Sequence, residues 1–258
     1  MTAGAVPSVL FVTPAYLPWL GGLEVLASQL LAELRARGSR VGLITCPHAA
    51  VGPGLDEVDG VPVLRTGAQE ALAANDGAAV LRCAVEIGRF VRELDPDVVH
   101  AHDASTALWM YLRAERRKRP LVATVHNVMS AHAGEELAPV EALVREADLV
   151  AGVSQAVVDD TAALFPEVVD RLHLVRNAVQ APTGEPGPVP AGAPLLCIGR
   201  LVPQKGFDLA IEAIARVAGD HPTARLVVAG TGPDRDDLLA LAARCGVADR
   251  VELIGRVE

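Results

Sequence analysis

An arginine and a lysine stand in a short turn between an apolar run and a helical pattern. The stretch GRLVPQKG, residues 199–206, carries Arg200 and Lys205. The planar guanidinium group of an arginine can bind two phosphate oxygens at once, whereas a lysine supplies a mobile point charge. Surface cations often have no ligand, but this pair in one strand-to-helix turn is suited to a diphosphate. We therefore take Arg200 and Lys205 as candidate ligand-binding residues.

A second glycine-rich turn follows on the next predicted strand. The stretch AGTGPD, residues 229–234, contains Gly230 and Gly232, which would let a ligand lie against the backbone. Ligands of open α/β sheets bind at the carboxyl ends of the strands. Two such turns on adjacent strands favour a ligand that carries a diphosphate over the alternative that the two cations are unused surface charges.

Two further glycines, Gly21 and Gly22, open the first long helical pattern after the loop that begins at Pro14. Backbone N–H groups at the positive end of a helix dipole suit a phosphate or a carboxylate. The alternative is a loop that only needs a positive φ angle at these positions. The pattern is not G-x-G-x-x-G, so a dinucleotide fingerprint is not supported.

Three histidines lie at predicted strand ends. The segment DVVHAHD places His100 and His102 on one face of its strand, because side chains alternate along a strand. A metal site is one interpretation, but we favour histidines in the core or facing a cleft, because no further ligands stand at matching strand ends. His126, at the end of the next strand, is suited to holding a sugar hydroxyl or to proton transfer. Its neighbour Asn127 is a further candidate for substrate binding.

A basic run, RAERRKR at residues 113–119, ends a predicted helix that contains Trp109. Aromatic and basic residues together suit a membrane interface, so Trp109 and Arg113–Arg119 are candidates for peripheral contact with anionic lipid. Cations at the carboxyl end of a helix also stabilise the helix dipole. We favour this second interpretation.

Composition restricts the classes of function and the compartment. The net charge of −9 and the pI near 5.3 argue against general binding to nucleic acid. The four cysteines are far apart and form no C-x-x-C pair, which is typical of reduced thiols in a cytosolic protein. No basic leader segment and no apolar run of ~20 residues is found. We expect a cytoplasmic protein, with peripheral contact at the inner membrane face as an alternative.

Strand and helix patterns alternate along residues 1–178, which predicts a parallel sheet covered on both faces. Gly38 is predicted to end the first helix in a left-handed conformation, and Ser154 to cap a later one. The predicted strands are Ser8–Thr13, Val41–Cys46, Val61–Arg65, Asp97–Ala101, Leu121–Val125, Leu149–Val153 and Leu172–Val175.

A change in composition separates a second domain. Residues 177–194 contain five prolines and three glycines, so we predict a linker over residues 179–193. Residues 194–258 then form a βαβαβ unit, which is incomplete beside the five or six strands usual for an open doubly wound sheet. Its predicted elements are strand Leu195–Ile198, helix Phe207–Ala218, strand Arg225–Ala229, helix Asp234–Cys245 and strand Val251–Ile254.

These motifs together resemble the family-four retaining glycosyltransferases of the GT-B fold. The stretches that carry the resemblance are PAYLPWLGGLE, PDVVHAHD, ATVHN, DLVAGVSQ, LHLVRNAV, IGRLVPQKG, RLVVAGTGPD and DRVELIGRV. The resemblance implies an α/β protein with two Rossmann-like, doubly wound domains and an active site between them. It also implies transfer of a sugar from a nucleotide diphosphate donor with retained anomeric configuration, without a required metal or other cofactor.

The same resemblance implies roles for individual residues. Arg200 and Lys205 would neutralise the donor diphosphate as it leaves, and the backbone N–H of Gly22 would add to this stabilisation from the other domain. His126 would contact the donor sugar. The nucleobase would be bordered by Arg256 and Val257. The amino-terminal loops would select the acceptor, whether a small molecule, a glycan or a lipid-linked molecule.

The chain also departs from the family pattern. In the family, the second domain continues into a segment with two glutamates separated by seven residues, which holds the donor sugar, and this chain ends before that segment. The family asparagine-glycine pair is here Asn177–Ala178. We expect a truncated glycosyltransferase that turns over its donor weakly. The alternatives are a non-catalytic module that binds nucleotide sugar or a partner, and a metal-dependent hydrolase that uses His100 and His102.

Overall fold

The computed structural model describes residues 6–115, 119–132, 138–179, 184, 187–190 and 192–257. The chain divides into two compact units, Met1–Ala181 and Pro182–Glu258, called here the first and second units. We predicted a linker over residues 179–193. Of these, residues 180–183, 185–186 and 191 lie outside the described residues.

An eight-stranded sheet organises the described residues of the first unit. Its strands are β1 (Val9–Val12), β2 (Val41–Thr45), β3 (Gly54–Val58), β4 (Val61–Arg65), β5 (Val98–His102), β6 (Leu121–Val125), β7 (Leu149–Gly152) and β8 (Leu172–Leu174). They lie in the order β3-β4-β2-β1-β5-β6-β7-β8, and every neighbouring pair is parallel except β3 with β4. The helices are α1 (Gly22–Ala36), α2 (Ala68–Ala73), α3 (Gly77–Leu94), α4 (Thr106–Ala114), α5 (Ala138–Glu146) and α6 (Gln155–Leu164).

Local capping explains where several helices begin and end. The side chain of Ser154 accepts a hydrogen bond from the N–H of Val157, which confirms the predicted cap of α6. Gly38 has a φ of 88° after the end of α1, and the next N–H, that of Ser39, donates to Leu34 O at 2.9 Å. This is the bonding of a Schellman motif, so the predicted end of α1 is also confirmed.

The antiparallel edge strand β3 was not among the strands predicted from the sequence. It forms a hairpin with β4 through Asp59 and Gly60, both of which have positive φ angles, 52° and 74°. An Asp-Gly pair between two short strands is a strong signal for this kind of turn. The signal was present in the stretch VDGV, but the run GLDEV has too few apolar residues to be recognised as a strand by its composition.

The central strands of the first unit are buried on both faces. Leu10 and Val12 belong to one apolar cluster, which includes residues of α3 and α4, whereas Phe11 packs in a second cluster with Leu31 of α1. All four of these side chains have no exposed surface. Helices therefore cover both faces of the sheet, as predicted for a doubly wound fold.

The strand order reverses at β1, because β2 pairs on one side of it and β5 on the other. In an open α/β sheet, such a reversal separates the loops at the carboxyl ends of the two strands and leaves a crevice between them. The loops that follow β1 and β5 are therefore the first places in this unit to examine for a site.

The second unit has a three-stranded parallel sheet. Its strands are β9 (Leu195–Ile198), β10 (Leu226–Ala229) and β11 (Val251–Gly255), in the order β11-β10-β9, and its helices are α7 (Phe207–Val217) and α8 (Arg235–Arg244). Right-handed crossovers that advance in one direction put both helices on the same face. Ile211, Ile214 and Val228 are buried in the core of that unit, whereas Leu196 and Ile198 of β9 are 59% and 65% exposed.

We predict that polar substitutions destabilise the buried face of this small sheet more than its exposed face. Leu196→Thr and Ile198→Thr should each change the free energy of unfolding by no more than about 0.5 kcal/mol, because the side chains are already exposed. Val228→Thr is the matched comparison, since it buries a hydroxyl group without a designed partner and should cost about 1–3 kcal/mol. Urea unfolding measures all three, and equal losses at positions 198 and 228 would contradict this assignment of faces.

Candidate functional site

Three loops at the carboxyl edge of the second sheet are joined by backbone hydrogen bonds. The loop after β9 donates from Gly199 N to Ala229 O and from Leu201 N to Thr231 O, at 3.0 and 2.9 Å. The loop after β10 donates in turn from Gly230 N to Gly255 O at 2.7 Å. The ends of β9, β10 and β11 therefore form one continuous backbone layer.

Gly230 and Gly232 are needed for this layer. Gly230 has a φ of 147°, and a Cβ atom built on it would lie 1.7 Å from Gly199 O. A Cβ atom on Gly232 would lie 2.3 Å from Leu201 O. No side chain fits in either place. The close approach that these glycines allow is that of the chain itself, and a contact with a ligand at these two positions stays a prediction.

Arg200 and Lys205 lie beside this layer with exposed side chains. No described carboxylate forms a salt bridge with either cation. The aliphatic part of Lys205 runs past the end of β9, since its Cγ lies 3.7 Å from the Cβ position of Gly199. Gly206, which ends the short 3-10 turn Pro203–Lys205, adopts a φ of 64° before α7 begins. The structure thus brings to one strand-to-helix turn two cations that form no salt bridge with any described residue.

Arg256 and Val257 follow β11 at the same edge, and both are exposed. Their position is linked to the second glycine loop, because Gly255 accepts the hydrogen bond from Gly230. All the residues predicted from the second unit therefore lie in the loops at the carboxyl ends of its three strands.

Gly21 and Gly22 begin α1 in the first unit, as predicted. Gly21 is the N-cap residue with a φ of −149°, and neither glycine has a positive φ, so the alternative of a loop that needs one is wrong. A Cβ atom on Gly22 would meet nothing within 4 Å, whereas one on Gly21 would lie 2.5 Å from Glu24 Oε2. The Glu24 carboxylate thus lies beside the start of the helix, where it stabilises the dipole. An anionic ligand would have to displace it.

His102 and His126 form a hydrogen-bonded pair at the ends of β5 and β6. Their ring atoms Nδ1 of His102 and Nε2 of His126 are 2.9 Å apart. His100 Nε2 lies 2.8 Å from Thr124 Oγ1, and the rings of His100 and His102 are 4.3 Å apart between centroids. The prediction that His100 and His102 share one face of their strand is confirmed. Asn127, next to His126, is exposed.

Burial keeps these imidazoles neutral near neutral pH. It lowers the pKa of His102 to about 2 and that of His100 to about 4, with further lowering by the neighbouring histidines. Burial also lowers the pKa of His126, and the nearby Asp103 carboxylate acts in the opposite direction. Neutral imidazoles donate and accept hydrogen bonds without carrying charge, which suits contact with hydroxyl groups.

Asp103 joins this group although the sequence analysis did not single it out. Its carboxylate accepts a hydrogen bond from His126 N at 3.1 Å, and its own backbone is in the left-handed region with a φ of 55°. Burial raises the pKa of this carboxyl group, and His126 acts in the opposite direction. A non-glycine residue with positive φ is uncommon and often marks a functional loop. Its position directly after an apolar strand that ends in histidines was the available signal.

Arg65 is a second residue that the sequence analysis passed over. It ends β4, is 1% exposed, and donates from Nη2 to Leu17 O at 2.6 Å in the loop that leads to Gly21. It also pairs with the Asp56 carboxylate at 3.3 Å. A charged side chain at the end of the apolar run VPVLR was the signal. Its contacts connect the hairpin of β3 and β4 to the loop before α1.

The metal-site interpretation of His100 and His102 is not favoured by the donor set. Their contacts go to Thr124 and to His126, and no group of three or more His, Cys, Asp or Glu side chains suited to a metal ion is found among the described residues. The hydrolase alternative therefore has no structural support in the part of the chain described.

The basic run after α4 has structural contacts at its end. Arg119 is 6% exposed in its side chain and pairs with Asp95 and Glu115, at 3.2 and 3.0 Å. Arg113 lies over the ring of Trp109 at 5.2 Å, and Trp109 is 43% exposed. Arg119 is thus not available to a membrane, and residues 116–118 lie outside the described residues. Across the described helices, none is long and apolar enough to span a bilayer.

Comparison with known proteins identifies the family. Residues 20–181 match the family described as Glycosyltransferase Family 4, and residues 191–258 match Glycosyl transferases group 1. The chain belongs to glycosyltransferase family 4. This confirms the resemblance inferred from the motifs.

Individual relatives of this family-four chain agree with that assignment. It is 30% identical over 268 residues to a glycogen synthase of Mycobacterium tuberculosis, and the match covers 93% of this chain and 65% of that protein. The chain therefore spans less than two thirds of the length of this relative.

Two solved structures have the same fold as the family-four chain. Sucrose-phosphate synthase from Thermosynechococcus elongatus has a TM-score of 0.69 at 16% identity, covering 97% of this chain and 71% of that one. The Anabaena protein HepE, solved in complex with UDP and glucose, has a TM-score of 0.65 at 19% identity, covering 97% and 70%. The predicted GT-B fold class is confirmed.

The glycine contacts in the second unit predict a steep dependence on side-chain size. Gly230→Ala and Gly232→Ala should each cost more than about 4 kcal/mol of stability in this unit, because the new Cβ would overlap backbone carbonyl atoms. Gly219→Ala is the matched control, since a Cβ there meets nothing within 4 Å. Thermal unfolding and limited proteolysis measure the loss. If Gly230→Ala were as stable as Gly219→Ala, the close backbone contact would be excluded.

The buried histidines predict lower stability in acid. His102 is neutral in the folded protein and is protonated in the unfolded chain below about pH 6.5. Its contribution to the free energy of unfolding is complete above that pH and is lost as the pH falls toward its folded pKa of about 2, with a loss of about 2 kcal/mol by pH 5. The free energy of unfolding, measured in urea at pH 8 and at pH 5, should therefore fall less between the two pH values for His102→Asn than for the wild type.

The control for this experiment is His173→Asn, at an exposed position on β8. It should retain the acid sensitivity of the wild type. If His102→Asn and His173→Asn gave the same pH dependence, the neutral state of His102 would be excluded.

Proposed function

We propose that this protein transfers a sugar from a nucleotide diphosphate donor to an acceptor hydroxyl group, with retention of the anomeric configuration. The observation that carries the proposal is the strand-to-helix turn after β9, where Arg200 and Lys205 are exposed and have no described carboxylate as partner. An anionic ligand can therefore use both cations without breaking an existing salt bridge.

The chemistry of the reaction explains why two cations are useful. Negative charge accumulates on the diphosphate as the bond between the sugar and the phosphate breaks. A guanidinium fork and an ammonium group stabilise that charge more strongly in the transition state than in the bound donor, which lowers the barrier. We assign Arg200 and Lys205 to this role.

Family membership supports the reaction class. The relative with 30% identity is named as a glycogen synthase, and the Anabaena structure contains UDP and glucose. From the resemblance to the family motifs, we assign Arg256 and Val257 to the border of the nucleobase. We assign the loop with Gly230 and Gly232 to the diphosphate side of the donor. No metal or further cofactor is required in this proposal.

The first unit contributes neutral and backbone donors. We assign His126 to a hydroxyl group of the donor sugar, with Asn127 next to it, and the N–H group at Gly22 to an anionic oxygen. For the last role, the Glu24 carboxylate beside Gly21 has to turn away. The acceptor would be selected by the loops at this edge of the first sheet.

Donor binding tests the proposal directly. Thermal-shift measurements with UDP-glucose, ADP-glucose and GDP-mannose should show stabilisation by at least one nucleotide sugar, because a ligand that binds only the folded state raises its stability. We expect weak turnover by this chain, so binding is measured separately from sugar transfer. A binding module without catalysis would give the shift but no sugar transfer, and the absence of any shift would contradict donor binding.

Arg200→Ala and Lys205→Ala should each reduce the affinity for UDP, ADP or GDP by roughly 10- to 150-fold, because each removes a charge-assisted contact worth about 1.5–3 kcal/mol. The control is Arg216→Ala, an exposed arginine in the last turn of α7. It should bind as the wild type does. Isothermal titration calorimetry measures the three affinities, and unchanged binding in both site variants would remove these residues from the donor site.

A further inference from the structure

His102 is enclosed by the protein, and only one of its two ring nitrogens has a partner. The side chain is 2% exposed, stacks on Phe11 with ring centroids 5.4 Å apart, and touches the ring of His100. Its Nδ1 is bonded to His126, whereas its Nε2 is buried without a hydrogen-bond partner among the described residues.

This asymmetry decides where the proton lies. A neutral imidazole carries its proton on one nitrogen and accepts with the other. If Nε2 of His102 carried it, a buried N–H would be left unpaired, which is rarer in proteins than an unpaired acceptor. The hydrogen-bond pattern therefore assigns the proton to Nδ1, which donates to Nε2 of His126.

The proton position on His102 also determines which ring nitrogen of His126 is protonated. Because its Nε2 accepts this hydrogen bond, its own proton must lie on Nδ1, as the ring is neutral. Nδ1 has no partner in the described part of the chain, and the side chain is only half-buried. That nitrogen is thus free to donate to a ligand, and it has no lone pair with which to accept.

We propose that His102 is a positioning residue that fixes the tautomer of His126, so that His126 presents an Nδ1–H donor to its ligand. The inference rests on the proposed function for the identity of that ligand. The ligand atom must be a hydrogen-bond acceptor, such as a hydroxyl oxygen of the sugar or a phosphate oxygen. Because Nδ1 of His126 carries a proton, it cannot act as a general base. Of the two roles predicted for His126, proton transfer and contact with a sugar hydroxyl, the arrangement favours the contact.

The surrounding contacts keep the pair in place. Thr124 holds His100 against His102, and Asp103 accepts the backbone N–H of His126 at 3.1 Å. The pairing of His102 with Thr124 in the register of β5 and β6 brings the two strand ends together. The rings are therefore held by two strands and by the loop after each of them.

Nuclear magnetic resonance of the full chain labelled with ¹⁵N-histidine tests the inference without any ligand. At pH 7.5, long-range ¹H–¹⁵N correlation spectra distinguish the two neutral tautomers, and comparison with His126→Gln assigns the signals of His126. We expect Nδ1 of His126 to be protonated and Nε2 to be unprotonated. An Nε2–H tautomer at His126 would overturn the proposal.

Two substitutions of similar size separate positioning from general structural support. His102→Asn places an amide N–H near the former Nδ1 and should preserve the Nδ1–H tautomer of His126. His102→Gln places its amide near the former Nε2 and should lose it, giving a mixture or the Nε2–H form. If both variants kept the wild-type tautomer, His102 would not fix it.

The wild-type spectrum can overturn the proposal even if a variant fails to fold, because it reports the tautomer of His126 directly. The result is also independent of the proposed function, because no nucleotide sugar is present. A chain with the expected tautomer that binds no nucleotide sugar would contradict the donor site alone, whereas a chain that binds donor with the other tautomer would contradict only the role of His102.

Discussion

Parallel pairing of neighbouring strands is the constraint on which the positions of the candidate residues in each unit depend. Parallel strands cannot be joined by a tight turn, so each strand is followed by a crossover, and every carboxyl end lies at one edge of its sheet. In the first unit this brings the loops with Gly21, Asp103 and His126 to a common edge, on β1, β5 and β6. In the second unit it does the same for Arg200 and Arg256, which are 56 positions apart in the chain.

Burial then determines the chemical state of the side chains at that edge. His102 is almost fully buried and His100 is partly buried, so the charged form of each imidazole is unfavourable. His100 Nε2 is hydrogen-bonded to Thr124, and His102 Nδ1 is hydrogen-bonded to His126. The group that results is neutral and directional. Such a group can orient hydroxyl groups, and in the second unit Arg200 and Lys205 provide exposed positive charge.

In the second unit, tightly packed glycines and exposed cations lie on neighbouring loops. Gly230 and Gly232 allow the backbone of one loop to lie directly against that of the next, which removes space for any side chain. Arg200 and Lys205 lie outside this contact, and their side chains are exposed and unpaired among the described residues. A backbone layer joined by hydrogen bonds therefore lies beside two exposed cations, whose charge is not used in salt bridges among the described residues.

Much of the architecture could be predicted from the sequence, because apolar periodicity, the capping serine Ser154 and the helix-ending Gly38 are local signals that hold wherever the segment lies. A series of motifs, among them the one with Arg200 and Lys205, likewise carried the resemblance to the family. Other features depended on the tertiary structure. The hairpin strand β3, the link from Arg65 to Leu17 and the contact between His102 and His126 all depend on which strands pair and in what register. His102 and His126 are 24 residues apart, and only the packing of β5 against β6 decides that their rings meet.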